Sequence, residues 1–210
     1  METILCTVNN KTILNIASGK LYPIEFKESI TTPFNKDHFL VQLDPMYYSS
    51  TSAEEIEGGY QEWCREPNVT INQCTEDAFQ FMEKSSIMFD YITIYRFLEH
   101  IKFTDISYFI YLISTSIEKM GLVDIIVPDY KLLAQLLIND TPDDINFDSK
   151  NILLTTELLN QPPDSHASIW TCDRIKYFWE LEGRFKVEDI ETNYNFDGRD
   201  IYLRAIIRRK

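Results

Sequence analysis

The middle of the chain, from Ile92 to Leu137, is rich in apolar residues, and these recur mostly at spacings of three and four. Such spacing is typical of helices whose apolar faces pack on a common core. Charged residues interrupt the region, and no stretch approaches the roughly 18 uncharged apolar residues that a membrane-spanning helix needs. The sequence therefore predicts a cluster of packed helices at the centre of the chain.

Local signals divide this region into separate helices. The spacing over residues 92–101 predicts one helix, and Thr104 is a candidate N-cap for a second. Gly121 fits the position that follows a helix C-terminus, and Pro128 fits the first turn of the next helix. We expect the leucines after Pro128 to face the core.

Short segments rich in β-branched residues lie on both sides of the apolar region. The first two surround an Asn-Asn turn and predict a hairpin. Two single strand candidates follow, and two segments near the C-terminus predict a second antiparallel pair. In chain order these segments are 3–8 and 12–16, then 39–43 and 69–72, and finally 184–187 and 201–207.

The segment 161–165, Gln-Pro-Pro-Asp-Ser, is the strongest linker signal in the chain. It predicts a domain over residues 1–160 and a C-terminal extension over 161–210, containing one aromatic-rich helix that ends at Gly183 and the second hairpin. The fold class we expect is α+β, with a small N-terminal β-sheet capped by an α-helical cluster and with a C-terminal helix and hairpin extension.

The charge of the chain limits its partners. With 33 acidic and 20 basic residues the formal net charge is −13, which weighs against nucleic acid because affinity for a polyanion comes mainly from basic groups. The first residues lack the basic and apolar pattern of a signal peptide, and we expect no membrane partner. A cytoplasmic or nuclear location is predicted, and a homo-oligomer is left open.

Catalytic and cofactor motifs are missing from the sequence. No Gly-rich phosphate loop, dinucleotide-binding loop or nucleophile elbow is present, and the three histidines lie outside any zinc motif. The four cysteines are far apart, as expected for free thiols in a reducing compartment. We therefore expect no catalytic residue, no metal and no cofactor. The residues concerned are His38, His100 and His166, and Cys6, Cys64, Cys74 and Cys172.

Two charged clusters have alternative interpretations. Carboxylates clustered at 140–148 could meet around Mg²⁺, but their place in the first turn of a helix is already explained by the helix dipole, which we favour. The basic C-terminal residues could dock on an acidic surface or on phosphate, or form a solvated end. The clusters are Asp140, Asp143, Asp144 and Asp148, and Arg204, Arg208, Arg209 and Lys210.

Three segments resemble the BTB/POZ fold, and within it the Skp and elongin C adaptors of cullin ubiquitin ligases. Residues 69–79 are similar to a family strand that leads into a helix, and residues 111–124 are similar to the step between two helices. Residues 134–145 resemble the Skp segment that leads into the C-terminal helices gripping F-box proteins. The resemblance covers residues 69–145 and implies a POZ-like first domain.

The resemblance implies a protein-interaction module with no catalytic residues. We therefore predict a non-enzymatic adaptor, whose partners are F-box-like proteins or other assembly subunits bound through apolar helical surface. The implied partner-binding residues are Leu133, Leu136, Leu137 and Ile145. The alternative is a structural subunit of a larger assembly such as a viral particle, favoured by a composition typical of A+T-rich genomes.

Overall fold

A computed structural model describes residues 12–16, 38–43, 69–74, 77–139, 166–196 and 199–210. These residues form seven strands, four α-helices and one short 3₁₀ helix at Leu98–His100. The strands are β1 (Thr12–Ile16), β2 (His38–Leu43), β3 (Val69–Cys74), β4 (Phe89–Tyr95), β5 (Ile117–Pro128), β6 (Phe185–Phe196) and β7 (Arg199–Arg209). The helices are α1 (Ala78–Lys84), α2 (Phe103–Ser116), α3 (Tyr130–Asn139) and α4 (Cys172–Glu180).

All seven strands belong to one sheet, in the order β3-β2-β1-β4-β5-β7-β6. The strands from β1 to β5 are parallel to one another, whereas β7 runs antiparallel between β5 and β6. Helices that connect parallel strands and cover the sheet define an α/β protein of the Rossmann-like type. The predicted α+β fold, a small POZ-like sheet capped by helices, is therefore wrong.

The central strand β4 was predicted as the start of a helix over residues 92–101, and this prediction is wrong. Tyr91 to Tyr95 are all buried, because both faces of the strand are covered. A parallel strand buried on both faces reads as a continuous apolar run and not as an alternation. Within such a run, apolar residues also occur at helical spacings, so the pattern fits either structure.

Strand β1 has neighbours on both edges. Its residues pair with Phe39 to Leu43 of β2 on one side and with Tyr91 to Ile94 of β4 on the other. Because a strand has only two hydrogen-bonding edges, residues 12–16 cannot also form the predicted hairpin with residues 3–8, which lie outside the described residues. The strand candidates at 39–43 and 69–72 are confirmed as β2 and β3, and the C-terminal antiparallel pair is confirmed as β6 and β7.

Three helices pack on one face of the sheet. Their buried side chains include Met82 of α1, Phe109 of α2 and Trp179 of α4, which join the inward residues of the strands in one core. Helix α1 is capped by Asp77, whose carboxylate accepts from the backbone N–H groups of Phe79 and Gln80. The helix predicted after Thr104 is confirmed as α2, although it begins at Phe103.

Gly121 lies inside β5 and not after a helix, so its predicted role as a helix end is wrong. A Cβ atom at this position would lie 2.6 Å from Ile117 Cγ1 and 2.9 Å from the carbonyl oxygen of Glu118. The residue is therefore glycine because the backbone and a buried side chain approach it closely. Gly183 does follow a helix, as predicted, with a φ of 70°.

The second face of the sheet carries a smaller apolar cluster. Tyr95, Ile126, Ile201 and Tyr202 form it, and Leu133 of α3 packs against it. Strands from both sides of the predicted boundary between residues 160 and 161 share the single sheet, and the boundary itself stays a prediction. Among the described residues, none of the helices is long and apolar enough to cross a membrane.

Candidate functional site

The carboxyl ends of β1 to β5 lie along one edge of the sheet, because these strands are parallel. The chain moves outwards from β1 through β2 to β3, then returns to the other side of β1 to form β4 and β5. The reversal creates a switch point between β1 and β4. In open α/β sheets, ligands bind in the crevice outside the carboxyl ends of the strands at this point. We therefore place the candidate site at the ends of β1 and β4.

Register brings the ends of β1 and β2 together. Ile16, the last residue of β1, is paired with Leu43, the last residue of β2. Asp44 follows Leu43 in the sequence, and Gly19 lies three residues after Ile16. An acidic residue at the end of the second strand and a glycine after the first are the groups that Rossmann-like folds direct at a nucleoside. This chain has one such glycine and not the usual three.

At the end of β4 the backbone turns sharply out of the sheet. Arg96 has a φ of 51°, a left-handed conformation that non-glycine residues seldom adopt. Its backbone N–H donates to the carbonyl oxygen of Ile126 on β5, at 2.8 Å. The 3₁₀ helix Leu98–His100 begins two residues after this turn. Backbone outliers of this kind cluster at functional sites.

Glu99, His100 and His166 come together beside this turn. One possible metal-ligand atom from each residue lies within 4.8 Å of those of the other two. Glu99 is fully buried, His166 is half-buried and His100 is exposed. The rings of His100 and His166 are in edge contact, with their centroids 4.9 Å apart, and the hydroxyl of Tyr130 is hydrogen-bonded to His166 Nδ1. Carboxylate and imidazole groups at this separation could hold a metal ion.

A row of polar residues crosses the second face of the central strands. Asn15 of β1 is in register with Thr93 of β4, and Thr93 with Asp124 of β5. The Thr93 hydroxyl donates to Asn15 Oδ1 at 2.7 Å, and both residues are buried. The Asp124 carboxylate accepts hydrogen bonds from the hydroxyls of Tyr91 and Tyr95. Burial raises the pKa of Tyr91 well above its ordinary value of 10.0, and the charge of Asp124 raises it further.

Several solved structures have a similar fold. A methyltransferase from Methanosarcina mazei, dependent on S-adenosylmethionine, has 15% identity and a TM-score of 0.58, with 97% of this chain and 94% of that chain covered. The N-methyltransferase NodS of Bradyrhizobium japonicum, in complex with S-adenosyl-L-homocysteine, has 11% identity and a TM-score of 0.55, with 95% and 78% covered.

A third example is the 1,6-didemethyltoxoflavin-N1-methyltransferase of Burkholderia thailandensis, with S-adenosylhomocysteine bound. It has 11% identity and a TM-score of 0.59, with 96% of this chain and 72% of that chain covered. This chain shares the fold of these methyltransferases. No protein-family model matches it, and no curated protein matches its sequence.

These findings correct the predicted identity. The resemblance of residues 69–145 to BTB/POZ, Skp and elongin C proteins is wrong, because the similar solved structures are methyltransferases. The prediction of a non-enzymatic adaptor in a ubiquitin ligase complex, and its alternative of a structural subunit of a viral particle, are overturned by the same finding, because the fold is shared with methyltransferases. Residues 111–124, the supposed step between two helices, are the end of α2 and the start of β5.

Of the four residues predicted to bind partners, Leu133 is the one whose side chain the structure describes. Leu133 is half-buried on α3, where it packs against the smaller core cluster. Leu136 and Leu137 follow on the same helix, and their side chains are not among those described. Ile145 and the acidic cluster at 140–148 lie outside the described residues. The partner-binding role of the four residues stays a prediction, as do the expected absences of nucleic-acid and membrane partners.

Three of the four basic C-terminal residues, Arg204, Arg208 and Arg209, are part of β7, whereas Lys210 follows the strand and is exposed. Arg204 is paired with Asp124 on β5, and Arg208 with Glu188 on β6. Arg209 donates to the backbone carbonyl of Ile117 at 2.9 Å. The guanidinium groups of these three arginines therefore bind other groups of the same sheet.

Sequence reasoning considered His100 and His166 separately and missed Glu99. The available signal was the apolar segment at 89–95, after which Glu99 and His100 follow beyond three further residues. The acidic residue that follows β2, Asp44, was a second such signal. Of the cysteines, Cys172 is half-buried with a free thiol at the start of α4, and Cys74 ends β3.

Proposed function

We propose that this chain binds S-adenosylmethionine at the carboxyl edge of its sheet and transfers the methyl group to an acceptor. The observation that carries the proposal is the switch point between β1 and β4 in a fold shared with methyltransferases, two of which have S-adenosylhomocysteine bound. The same fold hosts many functions, so the residues at the edge have to fit the cofactor.

The residues at the edge suit a nucleoside. Register pairs Ile16 with Leu43, so the segments that follow β1 and β2 start from adjacent positions about 4.8 Å apart. Asp44 comes directly after Leu43, where a carboxylate can accept hydrogen bonds from the ribose hydroxyls. Gly19 allows the backbone after β1 to approach a ligand closely. A carboxylate at this position also attracts the positively charged cofactor, whereas it would repel the phosphate of a nucleotide.

When bound, S-adenosylmethionine supplies an electrophilic methyl group on a positively charged sulfur. The protein's part is to hold the acceptor in line with that group and to keep water away from it. The end of β4 is suited to this part, because the Arg96 turn is fixed by its backbone hydrogen bond to Ile126. The 3₁₀ helix that follows the turn lies at the edge where an acceptor would approach the methyl group.

Calorimetric titration with S-adenosylhomocysteine tests the proposal. We expect one binding site per chain, and we expect Asp44→Ala to weaken binding at least about tenfold because the ribose loses its hydrogen-bond acceptor. Glu118→Ala is the matched control, since Glu118 is exposed near the amino end of β5, at the opposite edge of the sheet. NAD⁺ serves as a second adenine ligand, and we expect it to bind more weakly.

Two results would contradict the proposal. One is the absence of binding by both S-adenosylmethionine and S-adenosylhomocysteine to folded protein. The other is equal affinity for NAD⁺, which would assign the edge to dinucleotides instead.

A further inference from the structure

We propose that Glu99, His100 and His166 form a binding site for one divalent transition-metal ion. Their candidate ligand atoms lie within 4.8 Å of one another. Zinc bonds to imidazole nitrogen and carboxylate oxygen at about 2.0–2.2 Å, so two atoms on one ion are at most about 4.4 Å apart. Binding of an ion would therefore draw these atoms slightly closer together through side-chain rotation.

The backbone holds the distant member of this cluster in place. His166 is 66 residues from His100 in the sequence, yet its neighbours are tied to the 3₁₀ helix. The N–H groups of Ala167 and Ser168 donate to the carbonyl oxygen of Glu99 at 2.8 and 3.0 Å. The Ser168 hydroxyl donates to the carbonyl oxygen of Leu98 at 2.9 Å. The side chains therefore meet on a rigid framework.

Burial gives the cluster a closed side and an open side. Glu99 has no exposed surface, whereas His100 is exposed and His166 is half-buried. A buried carboxylate is costly to desolvate unless a cation or hydrogen-bond donors lie close to it. An ion bound between Glu99 and the two imidazoles would place a positive charge beside the buried carboxylate, and it could enter from the side of His100.

Tyr130 orients one of the imidazoles. Its hydroxyl is hydrogen-bonded to His166 Nδ1, which makes Nε2 the nitrogen that would bind the ion. In that state Nδ1 carries the proton and donates it to the Tyr130 oxygen, an arrangement that fixes the tautomer of a metal-binding histidine. Tyr130 itself is anchored, because its backbone N–H donates to the carbonyl oxygen of Trp170 at 3.3 Å. Tyr130 is thus a positioning residue.

The ligand set indicates the class of ion. Two imidazoles and one carboxylate suit zinc, manganese, cobalt or iron, whereas Mg²⁺ and Ca²⁺ prefer all-oxygen sites. Three protein ligands also leave at least one coordination position for water or another oxygen ligand, as in catalytic zinc sites. This inference does not depend on the proposed methyl transfer, because metal binding can be measured without a methyl donor.

Titration of metal-depleted, untagged protein with Zn²⁺ and Co²⁺ tests the site. Calorimetry should give one ion per chain, and bound Co²⁺ should show the visible absorption of a site with nitrogen ligands. We expect His166→Asn and His100→Asn each to weaken binding at least about tenfold, and Tyr130→Phe to weaken it by about 10- to 100-fold, as expected for a group that orients a ligand. Glu118→Gln, far from the cluster, should bind as the unmodified chain does.

Circular dichroism of each variant shows whether it is folded, and His100→Asn is the variant least expected to disturb the fold because His100 is exposed. The proposal is overturned if the unmodified chain binds neither ion stoichiometrically. It is also overturned if folded His100→Asn and His166→Asn variants bind both ions with unchanged affinity. Unchanged binding by Tyr130→Phe alone would remove the positioning role of Tyr130.

Discussion

The guanidinium of Arg204 on β7 forms a two-point ion pair with the carboxylate of Asp124 on β5. Nη2 lies 2.7 Å from Oδ2 and Nε lies 3.0 Å from Oδ1. The Asp124 side chain is fully buried and that of Arg204 is 16% exposed. Burial by itself would lower the pKa of Arg204, but the hydrogen bonds and charge of Asp124 outweigh it and raise that pKa. The pair joins the antiparallel strand β7 to the parallel part of the sheet.

Removing one partner of this pair should be costly. We expect Asp124→Asn to lower the free energy of unfolding by about 3–5 kcal/mol, because the charge of Arg204 would stay in a poorly solvated position without its counterion. The hydroxyls of Tyr91 and Tyr95 would also lose an ionised acceptor. Urea unfolding of the variant and of the unmodified chain measures the difference.

Glu188→Gln is the matched control for Asp124→Asn. Glu188 also pairs with an arginine of β7 at two points, with distances of 2.7 and 2.9 Å to Arg208. Both side chains of this pair are about one-third exposed, with values of 30% and 32%. An exposed pair contributes about 0–1 kcal/mol, so the loss should be small. Losses of similar size in the two variants would show that burial does not set the strength of these pairs.

Strands β4 and β5 explain why the fold was mispredicted from the sequence. Both lie in the interior of the sheet, and Val123 to Pro128 of β5 are buried without interruption. Periodicity distinguishes helices from strands only where one face is exposed. It succeeded for α2, where exposed and buried residues alternate with helical spacing, and for the C-terminal pair of strands. Recognising β4 as a strand required knowledge of the strands that pair with it, β1 and β5, which are distant from it in the sequence.

The candidate site shows a related limit. Glu99 and His100 are adjacent in the sequence, whereas His166 is brought beside them by tertiary contacts such as the hydrogen bonds of Ala167 and Ser168 to the backbone of Glu99. No spacing rule relates positions separated in this way. The placement of Leu43, the residue before Asp44, beside Ile16 at the end of β1 likewise depends on the register of the two strands. A sequence can indicate the residue types of such a site, but the sheet order determines which of them meet.

The buried phenol of Tyr91 should make the protein sensitive to alkali. Its pKa is raised above 10.0, first by burial and then by Asp124, so the folded state keeps a proton that the unfolded state loses above about pH 10. The free energy of unfolding should therefore fall by about 1.4 kcal/mol per pH unit above about pH 10 on account of this group, and should be unaffected by it below about pH 9.

Urea unfolding at about pH 8 and about pH 10.5 measures this slope. Tyr91→Phe should lose less stability between the two pH values than the unmodified chain does. Tyr177→Phe, which changes a tyrosine that is 60% exposed, is the control and should keep the full slope. If Tyr91→Phe keeps the full slope as well, another group is responsible for the alkaline sensitivity.

The two described glycines should respond differently to substitution. At Gly121 a methyl group would meet Ile117 Cγ1 at 2.6 Å, so we expect Gly121→Ala to cost about 1–3 kcal/mol and Gly121→Asn to cost more. At Gly183 nothing lies within 4 Å, but φ is +70°. Gly183→Asn should therefore be milder than Gly183→Ala, because Asn adopts this conformation more readily. Thermal unfolding of the four variants checks this reversal, and the same order at both positions would contradict it.

Ser168 links the stability of the fold to the proposed metal site. Its hydroxyl donates to the carbonyl oxygen of Leu98 and accepts from Trp170 Nε1, both at 2.9 Å, and the residue is 2% exposed. Ser168→Ala would leave the buried indole N–H of Trp170 without this acceptor, which should cost about 1–3 kcal/mol. The segment that carries His166 would also be held less firmly, so Zn²⁺ affinity should fall together with stability.

Ser107→Ala, at an exposed position on α2, is the control for both measurements. A Ser168→Ala variant that loses stability but binds Zn²⁺ with unchanged affinity would separate the two effects and show that Tyr130 and the backbone hydrogen bonds of residues 167 and 168 position His166 without the Ser168 hydroxyl.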